Sequence, residues 1–169
     1  GQIGDGTKIT RTVPVLVSAL SDVVEISAGN LHSLARTSSG AVYAWGVNWS
    51  GQLGTGNTTG QTTPTLITQP GDVRWLTAGG TTSHATLTDG ADKGWGSNSN
   101  GEIGDGTTSY RTAPVTALTP PSVMLLESGG SHSIAVTDTG EVWSWGLNNQ
   151  GQLGDGTTTT RTAPAASWA

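Results

Sequence analysis

The sequence predicts an all-β chain made of β-propeller blades, and three observations support this fold class. One segment, Gly-Gln/Glu-Ile/Leu-Gly-Asp/Thr-Gly, recurs at a constant step of 50 residues, starting at Gly1, Gly51, Gly101 and Gly151. Glycine makes up 26 of the 169 residues and threonine is abundant, which favours tight turns and short strands over helices. Short β-branched runs lie between the turn segments. Four-stranded antiparallel sheets recurring at this period are typical of propeller blades.

The period divides the chain into a single repeat array. It has three complete units, 1–50, 51–100 and 101–150, and a partial fourth unit, 151–169. A unit of this size cannot bury its apolar faces alone and needs neighbours on both sides. Because Gly1 lies in mid-repeat, we expect the chain to be a processed product or a fragment.

Each unit is predicted to contain four strands joined by turns rich in glycine, serine and asparagine. In the first blade the inner three are Val23 to Ser27, Leu31 to Thr37 and Ala41 to Trp45. An additional outer strand, Val13 to Ser18, is predicted ahead of that blade. The stretch Thr162 to Trp168 is predicted as the outer strand of the third blade.

The second unit departs from the other two. Thr82 occupies the position of a histidine, His84 follows two residues later, and Asp92 and Lys93 enter a strand that is apolar in the first unit. Burying such groups is costly unless they pair or face solvent. The unit is therefore either degenerate or locally specialised; degeneracy is the favoured interpretation, and we expect this unit to be the weaker one.

Composition excludes several classes of function. The net charge is −5, and the seven basic residues are scattered, which argues against binding to nucleic acid. Cysteine is absent, so neither disulfides nor a thiolate metal site can form. No stretch approaches the roughly 18 apolar residues of a membrane helix, and no membrane insertion is expected.

Several segments resemble the repeats of the regulator of chromosome condensation family. They are the Gly-X-X-His-Ser-Leu-Ala strand at Gly29 to Ala35, the Val-Tyr-Ala-Trp-Gly strand at Val42 to Gly46, the Asn-X-X-Gly-Gln-Leu-Gly loop at Asn48 to Gly54, and the strand led by Pro64. The pattern returns from Gly129 to Gly154, so the resemblance covers nearly the whole chain. It is specific for fold rather than activity, because propellers host unrelated functions. Complete members of the family are seven-bladed rings, whereas three blades are counted here.

The recurrent aspartates and histidines have structural interpretations. Asp5, Asp105 and Asp155 lie in Gly-Asp-Gly-Thr, but one carboxylate per repeat does not make a calcium loop, and each is predicted to cap its own turn. His32 and His132 lie two blades apart and cannot share a metal; we expect buried imidazoles, a role that the family resemblance also implies. No recognised hydrolase motif occurs. The sequence therefore predicts no catalytic residue, no cofactor and no metal site.

The tryptophans fall into two groups. Trp45, Trp95 and Trp145 are periodic and are predicted to lie in the core between blades. Trp49, Trp75, Trp143 and Trp168 break the register or replace smaller residues, and exposed aromatics serve as anchors at binding surfaces. The binding candidates are Trp49, Trp75, Tyr110 and Trp168, with Trp49 the best single candidate.

Two triplets, Asn48-Trp49-Ser50 and Asn57-Thr58-Thr59, fit the N-glycosylation pattern. They matter only if the source organism glycosylates exported proteins.

Together these observations predict a non-catalytic binding or structural scaffold. The equivalent loops Thr7 to Thr10, Asn57 to Gly60, Thr107 to Tyr110 and Thr157 to Thr160 would lie at constant spacing on one surface and form a multivalent face. Three blades leave two faces bare, so the expected partner is a protein or the chain itself. Self-partners are the remaining blades of a longer chain, a closed homo-oligomer or a filament.

The family resemblance adds expectations about function. The nearest analogue is the bacterial, exported branch of the family, whose propellers serve in surface adhesion or inhibit secreted enzymes, which implies an extracellular or cell-surface location. A secreted enzyme inhibitor that inserts loop aromatics into a cleft is the alternative. Nucleotide exchange on a small GTPase, the activity of the namesake, is a further alternative; it would require the loops of a whole ring, and the namesake's basic tail has no counterpart here.

Overall fold

A computed structural model describes residues 1–68 and 70–168, except for the side chain of Trp168. The described residues form twelve strands and no helix, which confirms the all-β prediction. The strands are β1 (Val23–Ala28), β2 (His32–Thr37), β3 (Val42–Gly46), β4 (Gln61–Leu66), β5 (Val73–Ala78), β6 (Thr82–Leu87), β7 (Asp92–Gly96), β8 (Arg111–Thr116), β9 (Val123–Ser128), β10 (His132–Thr137), β11 (Val142–Gly146) and β12 (Arg161–Trp168).

The strands form three four-stranded antiparallel sheets, each in simple sequence order. We call β1 to β4 blade 1, β5 to β8 blade 2 and β9 to β12 blade 3. The hairpin between β2 and β3 turns at Gly40, where φ is +84°. Nothing lies within 4 Å of a Cβ built there, so the backbone conformation rather than lack of space requires glycine.

Neighbouring blades pack face to face along the chain, and their first strands converge: β1 contacts β5, and β5 contacts β9. Hydrogen bonds join these inner strands directly. The Leu76 N–H donates to Glu25 Oε1 at 2.7 Å, and the Thr77 hydroxyl donates to the Leu126 carbonyl at 2.8 Å. The inner edges of the blades are thereby held at a fixed distance.

The three periodic tryptophans are buried in the core, as predicted. Each indole Nε1 donates to the carbonyl of the second residue of a recurrent Gly-Gln/Glu segment: Trp45 to Gln2, Trp95 to Gln52 and Trp145 to Glu102. A glycine of the same segment lies against the ring, and a Cβ on Gly54 would come within 2.9 Å of Trp95 Nε1. Each repeated segment thus packs on the tryptophan that follows it 43 residues later, and the segments in the connectors 47–60 and 97–110 join their blade to the following one.

One predicted strand is wrong. Residues 13–18 form no strand, and the side chain of Leu16 is 85% exposed. A β-strand needs a ladder partner, and β4 already occupies the outer edge of β3. The predicted outer strand of blade 3 is confirmed as β12, which pairs with β11.

The long loops of all blades emerge on one side. Because successive strands are antiparallel, the turn after the first strand and the connector after the third strand of each blade lie on the same side of the sheet. The connectors are 47–60, 97–110 and 147–160. Segment 1–10 joins them: the Gly6 N–H donates to the Thr62 carbonyl at 2.9 Å, which repeats the contact of connector 47–60 with blade 2. We call this side the connector surface.

Candidate functional site

Three of the loops on the connector surface are locked by an Asp, a Thr and an Arg. In the last connector the Thr157 N–H and hydroxyl donate to Asp155 Oδ1 at 2.9 and 2.7 Å, and Arg161 pairs with Oδ2 at 2.9 Å. The Thr157 hydrogen bonds and then Arg161 lower the pKa of Asp155 to about 2. The same set recurs as Asp5, Thr7 and Arg11 and as Asp105, Thr107 and Arg111. Turn capping by Asp is confirmed; the role of Arg was missed, although its spacing from Asp recurs three times.

A buried asparagine holds each connector from inside. Asn48 Nδ2 donates to the carbonyls of Asn57 and Thr59 at 3.0 and 3.1 Å, and its Oδ1 accepts from the Leu53 N–H at 2.9 Å. Asn98 and Asn148 are buried in the same way. Their 50-residue recurrence was the signal for this role. Since the Asn48 amide is fully used and buried, only Asn57 of the two glycosylation candidates is exposed in the folded chain.

The connector 47–60 differs from the others because it has no ion pair of this kind. Thr55, Asn57 and Gln61 replace the Asp, Thr and Arg of the other loops. Asn57 Oδ1 accepts the Thr59 N–H at 2.8 Å, so the turn is preserved with neutral groups.

The structure separates the four binding candidates. Trp49 is 78% exposed and Tyr110 is 54% exposed, and both lie on the connector surface. Trp75 is 42% exposed but lies on the inner strand β5, with the Arg74 guanidinium 5.8 Å from the centre of its ring. Trp168 is in β12, and its side chain lies outside the described part. The candidates therefore do not form one site.

Trp143 is a core residue of blade 3 rather than an exposed anchor. It is half-buried and packs against the cluster of Val123, Leu126, Ala135 and Trp145. Its Nε1 has no hydrogen-bond partner among the described residues.

Trp49 borders a cleft of about 410 Å³ between segment 1–10 and connector 47–60. The polar residues that line it include Lys8, Thr59, Gln61 and Thr62. We call it the Trp49 cleft. An exposed indole, an ammonium, an amide and two hydroxyls make it a candidate binding site.

Comparison with known proteins identifies the repeat. The profile of the regulator of chromosome condensation (RCC1) repeat matches residues 1–36 and 39–86, and a second profile with the same description matches residues 23–52 and 126–152. Together they cover more than half of the chain. The chain belongs to the RCC1 repeat family.

Individual relatives share one RCC1 repeat with this chain. Alsin from Homo sapiens is 42% identical over 50 residues, which are 28% of this chain and 3% of alsin. The regulator of chromosome condensation from Mus musculus is 43% identical over 49 residues, which are 28% of this chain and 12% of that protein.

Solved structures show the RCC1 propeller fold. Prp20p from Saccharomyces cerevisiae superposes with a TM-score of 0.87 at 23% identity, and the match covers 99% of this chain and 44% of Prp20p. Human WBSCR16 superposes with a TM-score of 0.79 at 25% identity, and the match covers 98% of this chain and 44% of WBSCR16. This chain therefore spans less than half the length of these structures.

In the first RCC1 blade a buried histidine reaches the next blade. His32 Nε2 lies 2.9 Å from Ser83 Oγ, whose own proton goes to the Gln52 carbonyl at 2.8 Å. His32 Nε2–H is therefore the donor, and Nδ1 has no partner among the described residues. Burial lowers the pKa of His32 to about 4, so the ring is neutral near pH 7. The predicted structural role of this histidine is confirmed.

In blade 2 the shifted His84 reaches the next blade in the same manner. Its Nε2 is 3.5 Å from Ser133 Oγ, and its Nδ1 is 2.6 Å from Asp92 Oδ2. Asp92 is 0% exposed, and burial raises the pKa of its carboxyl against the opposing effect of His84. Every residue of β6 is buried. The departure of this RCC1 unit is thus a local specialisation with a compensating pair, rather than the degeneracy that the sequence favoured.

Ser133, His84 and Asp92 stand in the order of a Ser-His-Asp triad, but all three are buried. The Ser133 hydroxyl donates to the Glu102 carbonyl at 2.9 Å. A catalytic serine has to contact its substrate, and the Ser133 hydroxyl is enclosed by the packed interior. The trio joins blade 2 to blade 3.

No helix capable of crossing a membrane occurs within residues 1–68 and 70–168.

Proposed function

We propose that this chain is a non-catalytic protein-interaction scaffold that binds its partner through the connector surface. The observation that carries the proposal is the exposure of Trp49 and Tyr110 on loops that are held rigid from inside. Exposed aromatic side chains dominate binding energy at protein interfaces. The buried Asn48 and Asn98 fix the loops before a partner arrives, which lowers the entropic cost of binding.

The solved relatives support protein binding as the class of function. The Prp20p structure is described together with the binding of Prp20p to Gsp1p and histones, and another structure shows Kap60 bound to yeast RCC1 (Prp20). These are properties of that protein. They make a protein the first type of partner to test for the present chain.

Self-association is part of the same proposal. Blade 1 has a free face with a cavity of about 620 Å³, lined by apolar side chains that include Leu16, Leu20, Leu34 and Trp45. Ile26 on this face is 76% exposed. Apolar surface of this kind calls for a covering partner, which would be further RCC1 blades of a longer chain or another copy in an oligomer or filament.

The alternative is a secreted enzyme inhibitor, and the 78% exposure of Trp49 beside a cleft favours it, because a projecting indole can enter a partner's active site. We further propose a location outside the cell or at its surface, for which the only support is the resemblance to the exported branch of the family. Fractionation of the source cells tests the location.

Cross-linking in an extract of the source organism, followed by mass spectrometry, tests the connector surface. The matched control carries Trp49→Ser and Tyr110→Thr, since Ser99 and Thr10 are the equivalent residues of other units. We expect a protein that the wild type recovers and the double variant loses. Equal recovery by both chains would show that the partner binds elsewhere.

A further inference from the structure

We propose that the Trp49 cleft is the docking site for an acidic peptide segment of the partner protein, with Trp49 as the apolar platform and Lys8 as the counter-charge. The inference rests on the proposed protein-binding function. It adds the place where the partner is recognised and the chemistry of the segment that is recognised.

The repeats themselves supply the comparison that singles out this cleft. Lys8, Trp49 and Gln61 all line it, and each differs from every equivalent residue at steps of 50. The equivalents are Thr58, Thr108 and Thr158 for Lys8, Ser99 and Asn149 for Trp49, and Arg11, Arg111 and Arg161 for Gln61. The same backbone folds with these other residues, so the scaffold does not require the three exceptions. Their convergence on one cleft indicates a ligand.

The charge of the cleft favours an anion. Thr55 replaces the aspartate that the other loops use, and no Asp or Glu is among the lining residues. The nearby Arg11 is neutralised by Asp5 at 2.6 Å. Lys8 forms no ion pair with any described residue, so its ammonium is available to a carboxylate from outside. A positive site in a chain of net charge −5 is selective for a local acidic group rather than for an acidic protein as a whole.

The remaining groups suit a peptide. The exposed Trp49 indole offers a rigid apolar surface for a side chain next to the acid. The Gln61 amide and the Thr59 and Thr62 hydroxyls can bond to peptide N–H and C=O groups. A volume of about 410 Å³ accommodates a few side chains, so a short segment fits. One solved relative, Prp20, is described with protein partners, which favours a peptide over an acidic saccharide.

Selection of random peptides displayed on phage tests the proposal directly. The 169-residue chain is the bait, and the Trp49→Ser chain is used for counter-selection. We expect enriched peptides with Asp or Glu next to a bulky apolar residue. A synthetic peptide of the enriched sequence should bind about tenfold more weakly to Trp49→Ser. Lys8→Thr should weaken binding several-fold and reduce its dependence on salt.

The control on the same surface is Tyr110→Thr, because Tyr110 does not line the cleft; its affinity for the peptide should equal that of the wild type. Every substitution introduces a residue that an equivalent position already carries, and thermal melting checks the fold. If the Trp49→Ser chain melts at a lower temperature than the wild type, the test rests on Lys8→Thr. A Lys8→Thr chain that binds the peptide with unchanged affinity and unchanged salt dependence would then overturn the proposal.

Two further outcomes would also overturn it. One is a set of selected peptides without acidic residues, or with equal affinity for Trp49→Ser. The other is binding of the chain to an acidic saccharide on a glycan array when no displayed peptide is enriched. In either case the proposed function survives if the cross-linked partner is still lost from the Trp49→Ser and Tyr110→Thr double variant, so the two failures are distinguishable.

Discussion

Replacing Asp92 by valine alone should destabilise the chain by about 3–5 kcal/mol. The carboxylate is fully buried, with His84 Nδ1 at 2.6 Å from Oδ2 and the Thr86 hydroxyl at 3.4 Å from Oδ1. Valine removes the hydrogen-bond partner of His84 Nδ1, which is then left buried without one. His84→Leu alone should cost a similar amount, because it leaves the carboxylate alone in the interior.

The double variant His84→Leu with Asp92→Val should behave very differently. It introduces the residues that blade 1 has at Leu34 and Val42, both of which are buried in its core. Exchanging a buried ion pair for apolar residues of similar volume is often neutral or stabilising. We therefore expect the double variant within about 1 kcal/mol of the wild type, or above it. Since each single variant should lose at least about 3 kcal/mol and the double variant at most about 1 kcal/mol, the implied coupling energy between the two positions is at least roughly 5 kcal/mol.

Urea unfolding of the four chains near neutral pH, followed by tryptophan fluorescence, measures these free energies. Lys93→Tyr is the control in the same strand: its equivalent is Tyr43, and its exposed bond from Nζ to Thr116 Oγ1 should contribute no more than about 0.5 kcal/mol. Additive costs in the double variant would refute the coupled pair. A loss below about 1 kcal/mol for Asp92→Val would refute its burial.

Three more predictions concern the core, acid stability and assembly. Trp145→Ala should lower the free energy of unfolding in urea by roughly 3–5 kcal/mol, because the ring fills the space between blades. Between about pH 6.5 and pH 4, His32 binds a proton only in the unfolded chain. The free energy of unfolding should therefore fall by roughly 3 kcal/mol as the pH drops through that window, and His32→Thr should make the free energy of unfolding less dependent on pH there. Light scattering at micromolar concentration should show assemblies; a stable, folded monomer of 17.1 kDa would contradict the need to cover blade 1.

Periodic positions were the part of the fold that the sequence predicted well. A residue such as Trp95 recurs every 50 positions because each blade must fill the same space against its neighbour. The predicted strand at residues 13–18 shows the limit of this reasoning. The Arg-Thr-Val-Pro run at residues 11–14 is irregular, while Arg-Thr-Ala-Pro at residues 161–164 lies in β12. The local sequence is nearly the same, but only the second run has a strand edge to pair with.

The pair of His84 and Asp92 inside blade 2 could not be predicted because it depends on strand register. His84 and Asp92 are eight residues apart, and the sequence shows only that both are unusual. In the hairpin of β6 and β7, Asp92 lies opposite Thr86, which places His84 two residues further along the same face. One step of register would have put the carboxylate on the other face, away from the imidazole.

Departures from the repeat therefore separate by burial, and the two kinds have different causes. His84 and Asp92 are buried, and each compensates the other inside the chain, so stability alone accounts for the pair. Lys8 and Trp49 are exposed at one cleft, and no described residue pairs with the ammonium or covers the indole. A sequence retains a costly local exception where something offsets it. For the buried pair the compensation lies within the fold, whereas for the Trp49 cleft we propose that it comes from a bound partner.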